Sequence, residues 1–235
     1  MLDSRIAIVT GASKGIGLAT AQRFLDADYR VINISRSPCS LEGVQNIKWD
    51  LSKKDWASES DTLLELIGET SEICLVHNSA VMTKESVRDI EADSLRQVLE
   101  LNVVAAARLN TLLLPKMGQG SSIVYISSTL GTKAVPNTHS YVVSKHAVIG
   151  QMRATCQDLA GAMVHTAAIC PGFTETEMLS EHLGSNPDIR EQINAGIAFG
   201  RLVQPSEIAE TVYFVARNPA VNGTILHANL GQIEN

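Results

Sequence analysis

Tyr141 and Lys145 stand four positions apart in Tyr141-Val142-Val143-Ser144-Lys145. In a helix that spacing projects both side chains from one face, about a turn apart. A free phenol titrates near pH 10, so a tyrosine that trades protons near neutrality must be lowered by roughly three units, about 4 kcal/mol. An ammonium about 4 to 5 Å away supplies on the order of 3 to 4 kcal/mol at an effective dielectric near 20. One lysine suffices in principle. The pair is suited to general acid–base work on the oxygen of a bound small molecule.

A second group is spaced for phosphate. Thr10-Gly11-Ala12-Ser13-Lys14-Gly15-Ile16-Gly17 follows an apolar run and opens a helical pattern. A pyrophosphate must come close to backbone N–H groups, Cβ atoms would obstruct it, and a helix N-terminus adds partial positive charge. The spacing is GxxxGxG rather than GxGxxG. A tight strand-to-helix turn without a ligand would show the same run.

Both groups need a scaffold, and the periodicity supplies one. Short β-branched runs at 5–10, 30–35, 46–49, 73–77, 122–127, 164–170 and 224–228 alternate with amphipathic stretches at about 15–27, 55–68, 92–117, 139–160 and 205–217. That alternation is the βαβ signature of a parallel sheet covered by helices. No repeat, low-complexity stretch or linker divides the chain, so residues 1–235 are read as one domain. Residues 173–200 break the pattern, with Gly184, Pro187, Gly196 and Gly200 around short helical patterns at 175–183 and 188–194. A connection this long is read as a substrate lid. The stretch 94–117 is apolar on more than one face, so it is buried on both sides, by another helix of this chain or by a second subunit.

The 235 residues are 45% hydrophobic and 19% charged, which excludes a disordered or fibrous chain. The net charge of −6 argues against nucleic acid or an anionic membrane surface as partner. No apolar run reaches the roughly 18 to 20 residues of a membrane span. Cys39, Cys74, Cys156 and Cys170 show neither CxxC nor zinc spacing, and no metal site is expected. With no apolar leader in Met1-Leu2-Asp3-Ser4-Arg5, a reducing cytoplasmic setting is expected, although four cysteines would also permit disulfides.

The glycine turn, His77-Asn78-Ser79-Ala80, Ser128, the Tyr141 and Lys145 pair, and Pro171-Gly172 occur in this order. Together they resemble the short-chain dehydrogenase/reductase family from Ile6 to about Gly231. The resemblance implies a single-domain, Rossmann-like, doubly wound parallel α/β sheet of about seven strands. It gives the cofactor's diphosphate to Gly11, Ser13, Lys14, Gly15, Ile16 and Gly17, the adenine to Asp50 and Leu51, and the adenine ribose to Asn78. Asp50 could equally be an acid near a helix N-terminus. Pro171, Gly172, the Thr174 backbone and Thr176 fall at the nicotinamide. His77-Asn78-Ser79-Ala80 departs from the family's Asn-Asn-Ala-Gly, and His77 is read as a structural strand-end residue.

The choice of cofactor can be read from the residues. NAD-binding folds hold the ribose 2′-hydroxyl with an acid at the end of the second strand. Here that place reads Asn33-Ile34-Ser35-Arg36-Ser37, without a carboxylate. Arg36 and Lys14 can meet a 2′-phosphate and Ser35 or Ser37 can add hydroxyls, so NADP(H) is favoured over NAD(H). The alternative is that both cations are solvated surface charges.

For catalysis the resemblance implies Asn102, Ser128, Tyr141 and Lys145. Tyr141 protonates the carbonyl oxygen, Ser128 steadies it, and Lys145 lowers the phenol and binds the nicotinamide ribose. Asn102 opens its helix and holds a water linked to Lys145. The bland alternatives are a loop cap for Ser128 and an interhelical hydrogen bond for Asn102. Leu130, Val135, Phe173, Met178, Leu179 and Leu183, with Thr138 and His139, are expected to line the substrate pocket, which suits a neutral ketone or aldehyde. A 3-oxoacyl thioester ranks lower, because Lys116 is the only cation at that helix exit. An NAD-linked alcohol dehydrogenase and a non-catalytic NADP(H) sensor are the rivals. The extended epimerase relatives need a longer chain. A homodimer or homotetramer is implied, built by helices 92–117 and 139–160 and by the last strand, although Asn229-Leu230-Gly231 lacks the family's double glycine.

Overall fold

A computed structural model describes residues 5–69, 72–183 and 187–233. Seven strands, β1 (Ile6–Thr10), β2 (Arg30–Ser35), β3 (Val44–Lys48), β4 (Ile73–His77), β5 (Ser122–Ile126), β6 (His165–Pro171) and β7 (Ile225–Ala228), form one parallel sheet in the order β3-β2-β1-β4-β5-β6-β7. The helices are α1 (Gly15–Leu25), α2 (Ala57–Ile67), α3 (Ala92–Leu99), α4 (Ala105–Leu113), α5 (His139–Asp158), α6 (Glu177–Leu183), α7 (Pro187–Ala195) and α8 (Pro205–Arg217). This is the parallel sheet covered by helices that the alternation predicts, doubly wound as the resemblance implies.

Strand periodicity divides the core between two faces. Ile6 and Ile8 of β1 join Ile32, Leu75 and Tyr125 under α2, α4 and α5. Ala7 and Val9 point the other way, to Val31, Val76 and Val124 under α1 and α8. The strand order turns back between β1 and β4, which opens a crevice at the strands' C-terminal ends, the place where such sheets bind ligands. β3 ends at Lys48, short of the expected 46–49, and Asp50 lies beyond the strand.

The predicted helix 92–117 is continuous but not uniform: α3 passes through a π-helical turn, Glu100–Val104, into α4 and ends in a 3₁₀ turn, Leu114–Lys116. The sequence reading finds no run of membrane-spanning length, yet Ala92–Lys116 does have that length, with a mean hydropathy of 1.3. Its apolar residues serve the core instead, where Ala105, Ala106, Leu109 and Leu113 are buried against the sheet. α3 and the π turn also pack on α5, so a helix of the same chain covers the second apolar side. Val104 and Val143 stay exposed on that surface.

In the expected lid, α6 and α7 match the two short helical patterns. Gly184 lies outside the described residues. Thr174 bridges Val203 and Ile197 bridges Gln232, which ties the lid's base to the C-terminal part of the chain. All four cysteines are free thiols.

Candidate active site

A cleft of about 660 Å³ opens at the C-terminal ends of the strands. Gly11, Ser13, Lys14, Gly15 and Ile16 line one end of it. Gly11 and Gly15 have φ of +71° and +56°, which L side chains rarely adopt, and a Cβ on Gly11 would stand 2.9 Å from Ser79 Oγ. α1 starts here with no side-chain cap and no acid in its first turn, so its leading N–H groups suit an anion. Gly17 corrects the sequence reading. It does not border the cleft; a Cβ there would lie 2.2 Å from the Gly11 carbonyl oxygen, so it is needed for the turn to pack on its own helix.

The turn is braced from two sides. Asn78 lines the cleft while its Nδ2 donates to the Thr10 and Gly11 carbonyls at 3.0 and 3.2 Å. On the other side the Ala12 N–H donates to Asn33 Oδ1 at 3.0 Å, and Asn33 Nδ2 reaches Ser35 Oγ at 3.1 Å and Asn46 Oδ1 at 2.8 Å. Asn33 is a fully buried amide that couples the glycine turn to the end of β2. Its role is not among those expected from the sequence, although an amide inside the apolar strand Arg30–Ser35 is the signal that points to it.

Ser35, Arg36, Asp50 and Leu51 line the adjoining end. Arg36 is exposed, and Lys14 pairs with Glu181 of α6 at 3.6 Å in a solvated contact. Asp50 caps no helix, since α2 begins at Ala57; its Oδ1 closes a turn by accepting from the Ser52 hydroxyl at 2.6 Å and the Ser52 N–H at 3.1 Å. The Ser52 hydroxyl leads in holding this carboxyl below its ordinary value, and the Lys53 and Arg36 cations add to it.

At the opposite end Ser128, Tyr141 and Lys145 meet on the cleft. At the C-terminal end of β5, Ser127 Oγ donates to the Lys145 carbonyl at 3.0 Å and Lys145 Nζ donates to the Ile126 carbonyl at 2.8 Å, which holds α5 in place. Ser128 makes the loop cap given as its alternative role. Its Oγ accepts from the Leu130 N–H at 3.1 Å, capping a 3₁₀ turn, and its hydroxyl bonds the Tyr141 phenol.

The electrostatics depart from the sequence reading. Burial pushes the Tyr141 phenol up to about 12, opposed only by the Ser128 hydrogen bond. Burial brings the Lys145 ammonium down to about 8. Lys145 Nζ is turned to the Ile126 carbonyl and lies 5.4 Å from the Tyr141 ring centroid, so without cofactor the desolvation of the phenol outweighs the attraction of the cation.

Asn102 sits in the π turn, away from the cleft. Its amide exchanges two 2.9 Å bonds with the Val81 backbone and donates to Ser144 Oγ at 3.0 Å, while Ser144 Oγ donates to the Tyr141 carbonyl at 2.8 Å. It borders a second cavity, of about 10 Å³, behind Lys145. Asn102 therefore positions other groups and is not in contact with the cleft. Glu85, unnoticed in the sequence, is 9% exposed and accepts from the Ser140 N–H at 2.8 Å, anchoring the first turn of α5.

Pro171, Gly172, Thr174 and Thr176 line the cleft after β6. Thr176 Oγ1 donates to the Thr174 carbonyl at 3.3 Å and accepts from the Leu179 N–H at 3.3 Å, so it links the strand end to α6. Leu130, Val135, Thr138, Phe173, Met178 and Leu179 form the expected apolar wall, joined by Met82 and Gln232, which the sequence reading missed. His139 is not on it; as the first residue of α5 it gives its N–H to the Glu85 carbonyl. The Leu183 side chain lies outside the described residues.

This geometry has counterparts. A family model described as enoyl-(acyl carrier protein) reductase matches residues 11–232. The 2-(R)-hydroxypropyl-CoM dehydrogenase of Xanthobacter autotrophicus is 31% identical over 95% of this chain and 96% of its own length. The 3-oxoacyl-[acyl-carrier-protein] reductase FabG of Vibrio harveyi is 28% identical over 98% of both chains. Among solved structures, a short chain dehydrogenase family protein from Francisella tularensis superposes with a TM-score of 0.86 at 28% identity, over 97% of this chain and 98% of that one. The aldohexose dehydrogenase of Thermoplasma acidophilum gives 0.89 at 26% identity, over 97% and 94%.

Proposed function

From the premise that this chain belongs to the short-chain dehydrogenase/reductase family, we propose that it is an NADP(H)-dependent reductase of neutral ketones or aldehydes, working reversibly with the alcohol. The observation that carries this reading is convergence: the Ser128, Tyr141 and Lys145 side chains and the glycine turn border one cleft. The residues fit a dinucleotide, because Gly11 and Gly15 hold positive φ in a cradle where a Cβ on Gly11 would crowd Ser79, and α1 presents uncapped N–H groups beside Lys14. When bound, the cofactor supplies the hydride.

The chain's own residues manage the proton. Tyr141 protonates the carbonyl oxygen, and Ser128, already bonded to the phenol, steadies that oxygen beside it. Lys145 holds the nicotinamide ribose and its cation favours the phenolate left behind. Asn102 keeps the π turn open and borders the cavity behind Lys145, where a water would replenish the proton. Asp50, Leu51 and Asn78 would hold the adenosine, and Pro171, Gly172, Thr174 and Thr176 the nicotinamide. Arg36 and Lys14 support the 2′-phosphate and hence NADP(H), since no carboxylate ends β2.

Met82, Leu130, Val135, Phe173, Met178 and Leu179 favour a substrate with an apolar body. A 3-oxoacyl thioester is the second reading, supported by the FabG relative and by the acetoacetyl-CoA reductase of Shinella zoogloeoides, 30% identical to this chain. We read the chain as one cytoplasmic domain with 173–200 as its lid, assembled as a dimer or tetramer through the surface that exposes Val104 and Val143. The test is NADPH consumption across ketones, aldehydes, diketones, pterins and acyl thioesters. Turnover of one class supports the reading, whereas tight NADPH binding with no turnover of any class favours a sensor.

A further inference from the structure

His77 ends β4 in the interior, with Nε2 2.8 Å from Asn110 Oδ1. The bond directions are set from the far end of the chain it begins. Thr155 Oγ1 donates to the Gln151 carbonyl at 2.9 Å, so it accepts from the Tyr125 hydroxyl 2.9 Å away. That hydroxyl accepts from Asn110 Nδ2 at 2.6 Å, which turns the Asn110 carbonyl toward His77. An amide oxygen only accepts, so Nε2 carries the ring hydrogen. Burial disfavours the imidazolium, and Nδ1 is left as an acceptor.

His77 also borders the 10 Å³ cavity behind Lys145, with Thr10, Ser79 and Asn102 as further polar neighbours. That is about the room one water needs, among enough polar groups to hold it. Lys145 lines both this cavity and the cleft, and an ammonium that gives one hydrogen to Ile126 has two more to place.

We propose that His77 positions Lys145: a water in this cavity donates to His77 Nδ1 and accepts from Lys145 Nζ, keeping the lysine an ammonium at the floor of the cleft. The titratable groups packed around it are Tyr141 on α5, His77 on β4, Tyr125 on β5 and Cys170 on β6. Among the described residues no carboxylate borders the cavity; Glu100 of the π turn faces Arg108, and Glu85 serves the start of α5. The water-borne acceptor therefore adds to the ammonium's solvation on the side away from the cleft. The consequence for turnover rests on the reductase reading.

The test uses the full-length, cofactor-free protein with ¹⁵N-labelled histidine and lysine side chains, and needs no substrate. His77 is expected as the Nε2–H tautomer. In His77→Leu the Lys145 midpoint is expected to fall by about one pH unit, and in His77→Asn, whose amide carbonyl can still accept, by much less. In turnover, His77→Leu should move the alkaline limb of kcat/KM down by the same amount while NADPH affinity holds. An unmoved Lys145 midpoint in folded His77→Leu, or an Nδ1–H tautomer in the unaltered protein, overturns the proposal. Should His77→Leu fail to fold, the tautomer and His77→Asn decide. A midpoint that moves in a protein with no reductase activity would sink the reductase reading and leave this one standing.

Discussion

Lys145 Nζ lies 5.4 Å from the centroid of the Tyr141 ring and donates instead to the Ile126 carbonyl, at 2.8 Å. The two residues share one face of α5, but their charges are not yet coupled. Burial holds the phenol near 12 and the ammonium near 8. On the proposed reductase reading, the acidity that Tyr141 needs comes with bound cofactor and substrate, which change what surrounds both groups.

Lys145→Met should make the cofactor-free protein more stable at pH 7 while stopping turnover. A buried cation replaced by an apolar chain of similar length escapes a desolvation cost, and the gain expected is about 1 to 3 kcal/mol, less what the unpaired Ile126 carbonyl costs. Chemical denaturation of the two proteins checks this.

Cofactor choice is tested at the end of β2. Arg36→Ala should weaken NADPH about tenfold, the loss of one charge-assisted contact, and leave NADH unchanged. Ser35→Asp should turn the preference toward NADH. Equal NADPH affinity in Arg36→Ala would assign the arginine to solvent.

Stability should fall in mild acid because of His77. Its folded pKa is lowered to about 4 from 6.5 by burial, so the unfolded chain binds the extra proton first as the pH drops. The contribution is whole above about 6.5 and is lost by about pH 4, a change of about 3 kcal/mol at most. In His77→Asn the slope of stability against pH should flatten across that window.

Gly17→Ala tests the corrected role of the third glycine. A Cβ 2.2 Å from the Gly11 oxygen cannot be absorbed without moving backbone, so a loss of about 3 kcal/mol is expected in the cofactor-free protein, measured by thermal unfolding. A glycine that only received phosphate would leave that stability unchanged.

The sheet was legible in the sequence because apolar β-branched runs and amphipathic helices differ in period, and each strand lies where one such run does. The π turn was legible only through the resemblance, which has Asn102 opening its helix; the apolar pattern alone hides it, since one extra residue leaves that pattern almost intact. Glu85 left no trace because its partner, Ser140, offers a backbone N–H, which carries no residue-type signal, whereas Asn33 did leave one, an amide inside an apolar strand. The phenol's environment could not be read either. Residue spacing sets which side chains are neighbours, whereas a pKa depends on how dry the neighbourhood is.

Single-turnover oxidation of NADPH by Tyr141→Phe, measured beside its NADPH affinity and with a substrate the unaltered protein reduces, bears most directly on Tyr141 as the proton donor. A rate lowered by about 10³-fold or more with the affinity preserved is the predicted result. Reduction at the unaltered rate would mean that the proton reaches the substrate from another group.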